Sequence, residues 1–157
     1  MYGCFMYYCI FAAKFLNMVK DILAISGYSG LFKLVSQAKN SIIVESLVDG
    51  KRMPAYATSK ISALEDISMY KMDGDILLGE VFCLIFEKNL EVDPKTDTKG
   101  LKEAFKQVVP DYDDDRVYVS DIKKVFAWYR LLKEKEIICA ESVEAYKAKL
   151  SESESED

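Results

Sequence analysis

Asp111, Asp113 and Asp115 stand at alternate positions in the stretch PDYDDDRVY. Carboxylates so spaced can converge on a calcium ion. The rest of a calcium loop does not follow. Arg116 stands where the sharp turn needs glycine, and Ile122 where a bidentate glutamate closes the shell. A solvated acidic loop ahead of a helix is expected instead, with no metal and no cofactor.

A second set is basic and aromatic: Tyr28, Phe32, Lys33, Lys51, Arg52, Tyr56 and Lys60. Aromatics that stack on bases and cations that meet phosphates are the two parts of a single-strand binding face. Phe32 and Tyr56 serve equally well as core, and the lysines as solubilising charge. A third set, Lys123, Lys124, Trp128 and Arg130, lies on one helical segment. There Trp128 sits at the margin of an apolar stripe and is either a partner anchor or a packing residue.

Much other chemistry is excluded. The chain has no histidine, which removes imidazole acid–base catalysis, Ser-His and Cys-His pairs and nearly all catalytic zinc sites. Gly27 and Gly30 in SGYSG lack the Gly-Lys-Ser/Thr ending of a phosphate loop. No G-x-S-x-G or dinucleotide fingerprint occurs. An enzyme is therefore not expected.

The net charge of −5 is unevenly spread. Residues 19–70 hold six basic and five acidic side chains, residues 71–137 twelve and fifteen, residues 138–157 two and six. Acid concentrated in the second half argues against wrapping of duplex DNA.

These residues need elements to hold them. ILAIS, LFKLVSQ, IIVESL and RMPAYAT read as strands, with Asp49-Gly50 as a hairpin turn and Pro54 at an edge or bulge. Ser62-Ala63-Leu64-Glu65 has the form of a capping box before a last strand, ISMY. Five short strands with one helical turn predict a small SH3-like barrel over residues 18–71. The alternative is an open antiparallel sheet covered by the second module.

That module, residues 72–137, is predicted as about three helices, so the fold class is α+β. Leu78, Val81, Phe82 and Ile85 form one stripe; Leu101, Phe105 and Val108 a second; Ile122, Val125, Phe126, Tyr129 and Leu132 a third. Ser120 is the expected N-cap of the third helix. Residues 138–157 are expected to be partly helical, then a disordered acidic SESESED tail.

Of four cysteines, Cys4, Cys9, Cys83 and Cys139, no two form a C-x-x-C pair. Cys83 is expected to pack in the core, and the chain to be a reduced, cytoplasmic protein. Residues 1–17 are apolar but broken by Lys14 and Asn17, too short for a spanning helix and with the charge on the wrong side for a signal peptide. They are expected to be leader upstream of an initiator at Met18, with no membrane partner.

ISG-x-x-G-LFKL-x-S, I-V-E-S-L with D-G-K-R, SAL-x-DIS-x-Y and the later PDYDDDRVYVSDIKKVFAWY together resemble an uncharacterised bacterial domain-of-unknown-function family. The resemblance spans about residues 18–135. Residues 1–17, the stretch around Cys83 and the end after Lys135 depart from it. It implies no activity, ligand or catalytic residue.

The function expected from all this is a non-catalytic cytosolic binding or adaptor protein with a protein partner. The alternative is a regulator that contacts RNA or DNA through the basic–aromatic face. Cations left free at Lys33, Lys51 and Arg52 would favour nucleic acid; cations paired with Glu45 and Asp49 would favour the adaptor.

Overall fold

β-Branched and large apolar residues dominate the first third of the chain and form a sheet. In the computed structural model, which describes residues 18–56 and 58–154, the strands are Ile22–Ile25 (β1), Phe32–Gln37 (β2), Ser41–Ser46 (β3), Arg52–Tyr56 (β4) and Ile61–Ala63 (β5). They pair antiparallel in the order β4-β3-β2-β1-β5. The pairs Leu23↔Phe32, Leu34↔Val44 and Ile42↔Ala55 set the apolar side chains on one face. That face encloses its own cluster of Leu23, Ile25, Phe32, Val44 and Ala55, to which, among the described residues, no helix contributes. An irregularity between Leu34 and Ser36 lets β2 bend around it.

The predicted SH3-like barrel is not formed. The sheet is open, and its edge strands β4 and β5 are not bonded to each other. ISMY is not the fifth strand either. It forms β6 (Ser68–Lys71), which pairs with β7 (Gly74–Leu77) in a separate hairpin. The fifth strand is the three-residue β5, in which Ser62 faces Ala24. Ser62 therefore builds no capping box. The helical turn is a 3₁₀ segment, Leu64–Asp66, with Ala63 at its N-cap and no side-chain cap.

Four helices follow, not three: α1 (Leu78–Glu87), α2 (Thr98–Val108), α3 (Val119–Glu134) and α4 (Ala140–Glu154). All three predicted stripes are buried. Two helix starts are tied by a carboxylate at the third helical position. Glu80 accepts from the Leu77 N–H at 3.0 Å, and Asp121 from the Tyr118 N–H at 3.3 Å. Ser120 thus lies inside α3, and Tyr118 takes the N-cap position predicted for it. Helix α4 continues through residues 151–154 of the Ser/Glu tail, where Ser151 and Ser153 donate back to the Ala148 and Leu150 carbonyls.

One core joins the sheet to the helices. Met18, Ile22, Leu31 and Leu64 are packed in a single buried cluster with Phe82, Phe105, Phe126 and Leu132. Among the described residues no helix is long and apolar enough to cross a membrane. The expected leader, residues 1–17, lies outside the described residues.

Candidate functional site

The basic–aromatic set does not converge. Strand alternation divides it: Phe32 points into the sheet's own core, 4% exposed, while Lys33, Arg52 and Tyr56 belong to the other face. Tyr28, exposed in the β1–β2 turn, meets Phe32 edge-on at 5.7 Å between ring centroids. Lys51 sits in the β3–β4 turn, and Lys60 follows the turn that the Ser59 N–H closes on the Tyr56 carbonyl at 2.9 Å.

The cations have acidic neighbours. Register places Glu45 between Lys33 and Arg52. Arg52 Nε donates to Glu45 Oε2 at 2.9 Å, and Lys51 Nζ lies 3.8 Å from Asp49 Oδ2. The Lys51 N–H donates to Asp49, which holds that carboxyl below its ordinary range. The positive charge at the hairpin is thus locally offset.

The acidic loop is dispersed in the same way. Asp111 pairs with Lys71 at 3.1 Å, Asp113 with Arg116 at 2.6 Å and Asp114 with Lys102 at 2.7 Å. Of the three alternate carboxylates, Asp111 and Asp113 thus face different cations, and Asp113 Oδ1 accepts from the Asp115 N–H at 3.0 Å. Among the described residues no three His, Cys, Asp or Glu side chains are placed to hold a metal ion.

Two clefts lie along α3. One cleft of about 280 Å³ runs between α3 and β6; Ser68, Tyr70, Arg116, Lys124, Val125 and Trp128 line it. The Arg116 guanidinium lies 4.6 Å above the Tyr70 ring centroid. Trp128 is half-buried against the core, with part of its ring left to the cleft. A second cleft, about 270 Å³, lies beside Glu91, Tyr129 and Arg130. Its charges are also matched: Lys133 Nζ donates to Glu91 Oε1 at 2.5 Å, and Arg130 lies 4.0 Å from Asp93. Lys123 is exposed and lines neither cleft.

So the third candidate set is split between two clefts. Lys124 and Trp128 meet Ser68, Tyr70 and Arg116, three residues the sequence did not single out. Only tertiary packing brings a strand residue near 70 beside a helix residue near 128. Nothing in the local sequence marks that pairing.

A domain of unknown function (DUF5606) matches residues 19–64, and a second domain of unknown function (DUF6852) matches residues 67–132. None of the curated proteins matches the chain. A solution NMR structure from Bacteroides vulgatus, a target of the Northeast Structural Genomics Consortium, is similar at 39% identity and a TM-score of 0.61. The similarity covers 77% of this chain and 89% of that one.

Proposed function

This chain belongs to the uncharacterised family that it shares with the Bacteroides protein, and we propose that it works as a non-catalytic binding protein whose partner is another protein. The observation that carries this reading is the bond from Arg52 to Glu45, with Lys51 beside Asp49. A face that tracks phosphates needs uncompensated cations, and here the two at the hairpin tip are offset by carboxylates. The net charge of −5 supports the same reading. So does the α3 cleft, which combines an aromatic ring, aliphatic surface and a few charges, the composition of a protein-binding hot spot.

The cytoplasm is the proposed compartment. Cys83, buried in α1, and half-buried Cys139 are both free thiols, as suits a reducing environment.

The test is a native pull-down of the full chain at low salt, with and without nuclease, reading both protein and RNA. A stoichiometric protein that survives nuclease is expected. Recovery of RNA alone, lost with nuclease and with salt, overturns the reading in favour of a nucleic-acid regulator.

A further inference from the structure

Strand β6 has two edges, and among the described residues only one is filled along its length. β7 takes the first, through the register Met69↔Ile76 and Lys71↔Gly74 and through a 2.9 Å bond from the Leu78 N–H to the Ile67 carbonyl. Bonded and non-bonded pairs alternate along an antiparallel ladder. Ser68 and Tyr70 therefore turn their backbone groups to the second edge.

The chain's own loop begins to fill that edge and then abandons it. A single bridge forms at Lys71↔Tyr112. Around it the Met72 N–H donates to the Asp111 carbonyl at 2.9 Å, and the Asp113 N–H to the Tyr70 carbonyl at 3.0 Å. The Asp113 carboxylate next accepts from the Asp115 N–H at 3.0 Å, which turns the loop away toward α3. Among the described residues the Ser68 N–H, the Ser68 carbonyl and the Tyr70 N–H have no backbone partner. They border the cleft whose opposite wall is Lys124, Val125 and Trp128.

The geometry points to this cleft as a docking groove for an extended peptide segment of a partner protein, one that continues the loop's pairing as an added strand on β6. Two observations select this occupant. Free backbone donors and acceptors on alternate residues of a strand match the backbone of another extended chain. The side-chain wall adds Trp128 for an apolar side chain and exposed Lys124 for a carboxylate, Arg116 being held by Asp113. Asp121, also in the wall, is turned to the Tyr118 N–H at the helix start. The segment is thus a β-strand with an acidic residue next to a large apolar one. This inference deepens, and rests on, the protein-binding reading above.

The probe is a displayed library of linear ten-residue peptides, selected on the full chain, with affinities then measured on synthetic copies. Selected peptides are expected to carry Asp or Glu beside an aromatic or aliphatic residue. Binding should slow exchange of the Ser68 and Tyr70 amides. Ser68→Pro removes an outward N–H while leaving the β7 ladder intact; Ile67 is already extended (φ −82°, ψ 129°), as a residue before proline must be. It should weaken binding at least tenfold with an unchanged unfolding midpoint. Lys124→Glu, on an exposed position, should do the same and stands in if Ser68→Pro does not fold. A library without binders, or binders indifferent to both changes and to the two amides, overturns the groove. The pull-down would still decide whether the partner is a protein.

Discussion

Gly79 lies beneath the Tyr146 ring: a Cβ placed on it would stand 2.5 Å from both Tyr146 Cζ and the phenol oxygen. Helix α4 rests on α1 through this contact. Burial pushes the Tyr146 phenol up to about 12.

Gly79→Ala sets two effects against each other. Alanine is favoured over glycine by about 0.5–1 kcal/mol in a helix interior and by less at the second helical position, where Gly79 stands. Overpacking against a ring costs about 1–3 kcal/mol. The clash wins, so the variant should lose about 1 kcal/mol in urea unfolding. In a Tyr146→Ala background the same change should become stabilising. Additive behaviour of the two changes would mean that the ring does not rest on Gly79.

Glu45→Gln should leave stability nearly unchanged, because an exposed ion pair contributes about 0–1 kcal/mol. It should, however, free Arg52 beside Lys33. The variant is expected to elute from heparin at higher salt than the parent. Identical elution would show that Glu45 does not offset the cations of this face.

Cys83 and Cys139, the cysteines among the described residues, should differ sharply toward a disulfide reagent at pH 8. Burial raises the Cys83 thiol to about 11, and the thiolate is the reacting species. Half-buried Cys139 should react before Cys83, which follows only on unfolding. The raised value also sets a sign. Its stabilising contribution is intact below an unfolded thiol value of about 8.5 and is lost as pH rises toward the folded one. Cys83→Ala should flatten that alkaline decline, and an unchanged decline would remove Cys83 as its source.

Acid should loosen the loop that positions Arg116. The Arg116 guanidinium, bonded to Asp113 at 2.6 Å, holds that carboxyl below its ordinary range. A lowered value means a contribution present above the unfolded carboxyl value, about 3.9, and lost as pH falls through the folded one. Asp113→Asn should shift the unfolding midpoint more at pH 7 than at pH 2. Equal shifts at both pH values would make the role steric.

The helices were legible because their apolar residues repeat at the helical period over ten residues or more, as in Ile122, Val125, Phe126, Tyr129 and Leu132. Strand β5 was not legible. Three residues carry too little pattern, and Ser62 mimics a cap although its backbone is committed to the pairing with Ala24. The β6–β7 hairpin did leave a signal in Asp73-Gly74, where Gly74 takes φ +139°. The barrel reading absorbed ISMY and passed over it. Of the groove, Trp128 and Lys124 stood out by residue type. Ser68 entered through backbone groups, which every residue has and no sequence pattern can mark.

The shared core has a bearing on synthesis. Met18, Ile22, Leu31 and Leu64 share one buried cluster with Phe82, Phe105, Phe126 and Leu132. At about 5–20 residues per second, a ribosome takes roughly 3–14 s to travel from residue 64 to residue 132. For that interval the emerging sheet, with only its small inner cluster closed, presents uncovered aliphatic side chains to the cell. The nascent chain is then a client for chaperones, and a transcript truncated between its two domains would encode a fragment left permanently in that condition.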